Sequence, residues 1–252
     1  MSKQAVVERL LRYGEKLSGE DGWYTDDPAA DRFVRNNPNA WLFGVIFDQG
    51  DHFERAWKAP YLLKKRLGHF DMHRIARTSV GELQRKIRGQ RPGEALLRYV
   101  RKMTLWVKRA AKKLVEEYGA DASNIWKNCR TAPEVIERLD EFVGIGQKKA
   151  HMAARILYED EGISFLRWRD INIGVDVHVK RVWKRAGLSK DLSVRGIMRA
   201  ATELNPDYPG ALDFPTWNIG SGWCHARRAD CRGLRREDNK PCPLLKVCPK
   251  LG

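Results

Sequence analysis

Apolar residues recur every three or four positions along most of the chain, which is the spacing of one face of an α-helix. The longest such stretch is residues 94–118, and Gly119 follows it where a helix C-cap belongs. Its apolar stripe consists of Leu96, Val100, Met103, Val107, Ala110, Leu114 and Tyr118. This pattern predicts a long amphipathic helix that ends at the glycine.

Other helix starts are marked by capping residues. Ser79 with Glu82, and Thr131 with Glu134, have the spacing of capping boxes. Residues 171–183 alternate weakly between apolar and polar and are also compatible with a strand. No other stretch demands a sheet, so the sequence predicts an all-α fold with this one ambiguity.

The segment LDEFVGIGQKKA, residues 139–150, predicts a helical hairpin. Residues 133–140 and 147–158 are its two helices, and the glycines of the turn permit backbone conformations that a side chain hinders. The free N–H groups at the start of the second helix favour an anion, such as a DNA phosphate. The candidate DNA contacts here are Gly144, Ile145, Gly146 and Lys149. The alternative is an ordinary helix connection with a glycine cap.

The composition adds information about binding partners, mainly through the net charge. The 252 residues carry a net charge of +15, and 42% are hydrophobic, as in a folded protein with basic surfaces. Nucleic acid, an anionic membrane surface and ribosomes are the partners to consider, beside a merely basic surface. No apolar run approaches a membrane span, and the charged N-terminus lacks the pattern of a signal peptide. We therefore expect a cytoplasmic, nucleoid-associated protein in a reducing compartment.

Four of the five cysteines lie close together near the end of the chain. They are Cys224, Cys231, Cys242 and Cys248, whereas Cys129 stands alone and is expected to be structural. Clustered thiolates in a reducing compartment predict a metal site. Zinc sites usually have paired cysteines two to four residues apart, whereas a 4Fe-4S cluster tolerates irregular spacing. A 4Fe-4S cluster, zinc and unliganded thiols all remain open at this point.

Asp176 lies in an apolar frame within residues 174–188, GVDVHVKRVWKRAGL. A buried carboxylate is costly unless it is hydrogen-bonded or used in chemistry. Asp is also a preferred N-cap, here for a helix from Val177 to Ala186. Both roles are compatible, because a cap fixes an ionised carboxylate in place.

The hairpin, a lysine two residues past its second glycine, and the stretch V-D-x-H-V-x-R-V resemble the helix-hairpin-helix (HhH-GPD) DNA glycosylases, most closely the endonuclease III branch. By position, this resemblance implies that Lys148 is the catalytic lysine and Asp176 the catalytic aspartate. Their separation is longer here than is typical of the family, with the extra residues in 158–172.

The chemistry suits these residue types. Cleavage of an N-glycosidic bond develops positive charge on the sugar, which a fixed carboxylate stabilises. A neutral lysine can attack C1′ and form a Schiff base, which permits strand scission by β-elimination. The plainer alternative for Lys148 is a surface lysine that contacts phosphate.

The resemblance extends to the cysteines and to one glutamine. Many endonuclease III relatives end in C-x6-C-x2-C-x5-C bound to a 4Fe-4S cluster, and this chain has ten residues in place of the middle two. Arg227 and Arg228 of the first cysteine loop are candidate phosphate contacts, as are Arg232, Arg235, Arg236 and Lys240 of the longer one; the alternative is a solvated basic face. Gln49 matches the residue that fills the duplex after base extrusion, or is simply polar at a helix end.

The implied fold is all-α and two-lobed, with a helical barrel lobe and a 4Fe-4S cluster lobe. Residues 31–170 would form the barrel with the hairpin at 133–158, and residues 1–30 and 171–252 the cluster lobe with its iron–sulfur loop at 224–248. The active site would lie in the cleft between them.

The implied function is a monomeric, bifunctional DNA glycosylase and AP lyase that acts on damaged pyrimidines in double-stranded DNA. Lysine rather than serine at position 148, and a chain that ends at the cysteines, disfavour an adenine-mismatch enzyme. The alternatives are a monofunctional mismatch uracil or thymine glycosylase, a non-catalytic DNA-binding protein, and a zinc-ribbon-like RNA-binding protein.

Overall fold

The computed structural model describes residues 2–18 and 24–251. Within this part the protein is all-α, with two short 3-10 helices (Trp168–Asp170 and Pro209–Leu212) and no β-strand, which confirms the predicted fold class. The helices are α1 (Lys3–Ser18), α2 (Pro28–Arg35), α3 (Pro38–Phe47), α4 (Phe53–Leu67), α5 (Met72–Arg77), α6 (Val80–Arg88), α7 (Val100–Glu117), α8 (Ser123–Lys127), α9 (Ala132–Asp140), α10 (Gln147–Glu159), α11 (Val177–Arg185), α12 (Val194–Leu204) and α13 (Asp213–Gly222). Residues 1, 19–23 and 252 lie outside the described part, so the predicted 1–30 segment is only partly described.

The predicted helix starts are confirmed, with a serine N-cap at Ser79 and a reciprocal capping box at Thr131 and Glu134. At the start of α6, Ser79 Oγ accepts a hydrogen bond from the backbone N–H of Glu82 at 3.2 Å. At the start of α9, Thr131 and Glu134 each accept from the other's backbone N–H at 3.4 Å. Local sequence therefore fixes these helix starts, because each cap satisfies N–H groups that the helix itself leaves unpaired.

The long helix is shorter than the apolar stripe predicts. It ends as expected, with Gly119 in the left-handed region (φ 60°) just after it, but it begins at Val100 and not near residue 94. Arg55 Nη2 donates to the carbonyl of Ala95 at 2.6 Å, and Arg66 Nη2 donates to that of Glu94 at 2.6 Å. The carbonyls of residues 94 and 95 therefore accept hydrogen bonds from α4 side chains and not from the backbone N–H groups of an earlier helical turn.

The ambiguous segment 171–183 is not a strand. Residues 171–176 run extended without strand pairing, and α11 begins at Val177. Ile171, Ile173 and Val175 are buried, and so are Asn172 and Gly174 between them, so the weak alternation in the sequence does not mark one buried and one exposed face. The helical prediction from Val177 onward is confirmed.

The chain divides into two compact units. Of the described residues, the first unit contains 2–18, 131–136 and 150–251, and the second contains 24–130 and 137–149. Residues 150–170 cluster with the C-terminal part of the chain in the first unit. His151 Nδ1 accepts from the backbone N–H of Asn172 at 2.9 Å, and Gly210 N–H donates to the carbonyl of Ile171 at 3.0 Å.

Each unit has its own apolar core. In the first, α1 packs against α13, and Tyr13 donates its hydroxyl to Asn218 Oδ1 at 2.7 Å. In the second, Trp57 stacks on Tyr24 with ring centroids 4.4 Å apart and contacts Trp41 edge-on. No described helix is both long and apolar enough to cross a bilayer.

Candidate active site and cysteine pocket

The hairpin forms as predicted, between the end of α9 at Asp140 and the start of α10 at Gln147. Gly144 has φ 99°, and a Cβ built there would overlap the indole of Trp106. Two independent reasons, the left-handed backbone and the close ring, thus require glycine at this position. Gly146 is different, since a Cβ there would meet nothing nearer than Asp140 Oδ1 at 4.0 Å. Ile145 is buried and its backbone N–H donates to the carbonyl of Phe142 at 2.9 Å, which closes the turn.

Lys148 lies in the first turn of α10, beside a carboxylate that the sequence did not single out. Its Nζ is 3.3 Å from Asp48 Oδ2, and the side chains of Lys148 and Asp48 are 26% and 17% exposed. Asp48 is the C-cap residue of α3, and its backbone N–H donates to the carbonyl of Gly44. A half-buried ammonium and carboxylate are therefore held together within the second unit.

Lys149 lies inside the protein, although the hairpin pattern marked it as a DNA contact. Its side chain is buried, its residue being 5% exposed, and its Nζ donates to the carbonyl of Ile46 in the last turn of α3 at 2.8 Å. Burial lowers its pKa to about 7, partly opposed by the negative charge of Asp48. Contact with a phosphate would require this ammonium to leave its carbonyl partner. The helical spacing in the sequence could have predicted this burial, because Lys149 lies on the same face of α10 as the buried residues Ala153 and Ile156.

Gln49, the predicted wedge, follows Asp48 directly at the end of α3. It is half-buried, and its backbone N–H donates to the carbonyl of Phe47 at 2.6 Å. Because residues 40–47 are all buried, the end of α3 has little freedom to move. Asp48 and Gln49 are thus presented side by side from a rigid helix.

Asp176 caps α11, as the sequence predicted. Its Oδ1 accepts from the backbone N–H groups of His178 at 2.8 Å and Val179 at 2.9 Å. These two bonds fix the carboxylate at the positive end of the helix, where a negative charge is favoured. Asp176 belongs to the first unit and Lys148 to the second.

The extended segment before Asp176 is tied to buried charges of the first unit. Asp213 Oδ1 accepts from the backbone N–H of Gly174 at 2.9 Å, and Asp213 Oδ2 is 3.5 Å from Arg155 Nε. Arg155 also donates to Glu159 at 2.7 Å, so its buried charge has two carboxylate partners. This network holds the chain that leads to the cap.

The longer segment at residues 158–172 is packed in place. Trp168 stacks on Tyr158 with centroids 5.0 Å apart, and both rings contact Tyr208 edge-on. The insertion relative to the resembled family is thus anchored on the first unit by aromatic contacts.

The four clustered cysteines line one cavity of about 220 Å³. All four are free thiols, and the backbone N–H of Cys242 donates to the carbonyl of Cys231 at 2.9 Å, which closes the ten-residue loop between them. Arg185 Nη1 lies 3.3 Å from Cys224 Sγ. Burial raises the pKa of the Cys242 thiol to about 12. Among the described residues, no three His, Cys, Asp or Glu side chains converge on a point for a single metal ion.

The basic residues of the cysteine loops differ in what they can do. Arg227 and Arg228 are exposed at the mouth of the cavity. Arg236 instead stacks over the Trp223 ring at 3.9 Å and pairs with Asp238 through two nitrogens at 2.8 and 2.9 Å. Arg236 therefore shapes the inserted loop, and Arg227 and Arg228 remain the predicted phosphate contacts.

Comparison with known proteins agrees with the hairpin and the fold. The HhH-GPD superfamily base excision DNA repair protein family matches residues 43–206, and no curated protein sequence matches. A structure of a trapped endonuclease III–DNA covalent intermediate, the estranged-adenine complex, is similar with a TM-score of 0.67 at 19% identity, over 99% of this chain and 97% of that one. A thermostable thymine-DNA glycosylase is similar with a TM-score of 0.62 at 14% identity, over 98% and 95%. Because the family match spans more than half of the chain, the protein belongs to the HhH-GPD superfamily of base excision DNA repair proteins, and it is a DNA glycosylase of that type.

Proposed function

We propose that this protein is a bifunctional DNA glycosylase, which excises damaged bases from duplex DNA and then nicks the abasic site as an AP lyase. The observation that carries the proposal is the position of Lys148, in the first turn of α10 directly after the Gly-Ile-Gly turn. The similar endonuclease III was captured as a covalent intermediate with DNA. Damaged pyrimidines are the proposed substrates, as the resemblance to the endonuclease III branch implies, and a monomer is the proposed state.

The two predicted catalytic residues have complementary tasks. The Asp176 carboxylate, fixed by two backbone N–H groups, stabilises the positive charge that develops on the sugar as the N-glycosidic bond breaks. The Lys148 amine forms a bond from Nζ to C1′, and loss of the sugar ring oxygen from C1′ gives a Schiff base. Removal of a C2′ proton then breaks the C3′–O3′ bond, which nicks the strand.

Borohydride trapping tests the lyase. The wild type and Lys148→Ala are mixed with a duplex that contains one abasic site, and borohydride reduces any Schiff base to a stable adduct. We expect an adduct from the wild type and none from Lys148→Ala. Lys127→Ala is the matched control, since Lys127 is an exposed lysine of the same unit. No adduct from folded wild type would refute the lyase activity.

Asp176→Asn tests the glycosylase step and the non-catalytic alternative together. Asn is also a good N-cap, so the helix keeps its start while the negative charge is lost. We expect duplex binding to be retained and base excision to fall below detection. A non-catalytic protein that only binds the DNA backbone would bind duplex equally well, and excise no base, with Asp or with Asn at position 176.

A monofunctional glycosylase is the second candidate, and the ion pair favours it. Asp48 Oδ2 lies 3.3 Å from the Lys148 Nζ, and a lysine held in this ion pair has to leave it before it can attack C1′. The similarity to a thymine-DNA glycosylase is compatible with this reading. Such an enzyme would leave an intact strand at the abasic site, cleaved only after alkali, and Lys148→Ala would not abolish base release.

We further propose that Cys224, Cys231, Cys242 and Cys248 hold a 4Fe-4S cluster. Their common cavity and irregular spacing suit a cluster whose four irons each take one thiolate. Bound there, the cluster would cross-link the C-terminal loops, and Arg227 and Arg228 would contact phosphate beside it. Purified protein should be yellow-brown with absorbance near ~400 nm and contain iron and sulfide. Cys242→Ser should lose the colour, whereas stoichiometric zinc without iron would refute the cluster.

A further inference from the structure

We propose that Asp48 is the proton acceptor for Lys148 in Schiff-base formation. This inference rests on the proposed lyase function. The sequence motif supplies the lysine but says nothing about where its proton goes. The structure places one carboxylate oxygen, Asp48 Oδ2, at 3.3 Å from Nζ.

The position of Asp48 is built into the second unit. α3 ends on buried residues, and Lys149 holds its last turn by donating to the carbonyl of Ile46 at 2.8 Å. The two neighbouring lysines of α10 therefore act on the same segment. Lys149 fixes the end of the helix, and Lys148 contacts the carboxylate that follows it. This rigidity keeps the carboxylate within reach of Nζ, as proton transfer in the transition state requires.

Lysine side chains lie near Asp48. Lys148 Nζ on α10 is 3.3 Å from its carboxylate, and Lys149 and Lys102 both lie over the Trp106 ring, with Nζ 5.5 and 4.5 Å from the ring centroid. The next carboxylate along the chain, Asp51, is engaged elsewhere: it lies 3.5 Å from Arg55 and accepts from the backbone N–H of Arg98. Asp48 is thus the carboxylate matched to Lys148.

The proton balance closes with this one carboxylate. The ammonium of Lys148 gives a proton to Asp48 Oδ2, and the freed lone pair of Nζ bonds to C1′ of the open-chain abasic aldehyde while the carbonyl pair moves to oxygen. A second proton passes from Nζ to that oxygen, which gives a hydroxyl. Asp48 then returns its proton to the hydroxyl, which leaves as water. The products are the protonated Schiff base, water and the ionised carboxylate.

Asp48→Asn separates this role from simple ion pairing. If Asp48 accepts the proton, the single-turnover rate of borohydride-trapped adduct should fall about 100-fold near neutral pH, the usual effect of losing a general base. The remaining rate should climb about tenfold per pH unit, because the proton must go to solvent. A mere counter-ion predicts the opposite, since its removal favours the neutral amine, and an unchanged or faster rate would overturn the proposal.

Two further variants serve as controls, one for the loss of an unrelated carboxylate and one for the chemical rescue of the lost group. Asp26→Asn removes an exposed carboxylate that lies 3.5 Å from Lys58 in the same unit, and it should react like the wild type. Asp48→Ala leaves room for formate, which should restore much of the rate if a carboxylate is the missing group. Failure of formate to rescue a folded Asp48→Ala protein would also overturn the proposal. Absence of any adduct from wild type would instead remove the lyase function itself, and the role of Asp48 with it.

Discussion

Lys149→Met should remove a pH dependence of stability that the buried amine creates. In the folded protein burial lowers the pKa of Lys149 to about 7, against an ordinary value of 10.5. Between these two values the unfolded chain binds a proton at this residue that the folded protein has lost. The contribution of Lys149 to the free energy of unfolding therefore rises with pH across this window, and it changes little below pH ~6, where both states are protonated.

The size of the effect follows from the shift. Each pH unit over which only the unfolded chain is protonated adds about 1.4 kcal/mol. At pH ~7 the folded amine is about half protonated, so the rise from pH ~7 to pH ~9 is about 2 kcal/mol. Met keeps a similar volume and cannot titrate. It also loses the bond to the Ile46 carbonyl, which adds a nearly constant offset of about 1 kcal/mol.

Guanidinium unfolding of wild type and Lys149→Met at several pH values, followed by tryptophan fluorescence, measures this. The difference between the two proteins isolates Lys149 from the other titrating groups. Lys127→Met, at an exposed position of the same unit, is the control and should show a difference that is flat with pH. A flat difference for Lys149→Met as well would refute the idea that this amine is buried in the folded protein.

Three further perturbations test other parts of the structure. Gly144→Ala places a Cβ into an indole ring at a left-handed backbone position, so it should lower the free energy of unfolding by about 2–4 kcal/mol and weaken duplex binding. Gly146→Ala has open space around the added Cβ and should lower the midpoint of thermal unfolding far less. Asp176→Ala removes the helix cap and should cost about 1 kcal/mol in chemical denaturation, whereas Asp176→Asn should cost less while both lose excision. Arg155→Met removes the cation beside the buried carboxylate of Asp213 and the partly exposed one of Glu159, and should destabilise the first unit by about 3–5 kcal/mol in the same measurement.

The sequence determined the local features of this protein. Helical periodicity, the helix starts at Ser79 and Thr131, the hairpin and the cap at Asp176 all agree with the structure. Each depends on residues within a few positions of one another, so the chemistry of the cap or the turn is complete in the local sequence. The family follows from the same short motifs, because they carry the residue types that its chemistry needs.

Only the tertiary structure decided which charges meet. Asp48 and Lys148 are separated by 100 residues, and no periodicity predicts that contact. Tertiary contacts also decide where α7 begins. Its first predicted turn is not helical, because Arg55 and Arg66 of α4 donate hydrogen bonds to the carbonyls of that turn. Adjacent lysines look alike in a sequence, yet successive residues on a helix point about 100° apart. Packing therefore buries Lys149 and leaves Lys148 partly exposed beside its carboxylate, and that difference exists only in the folded chain.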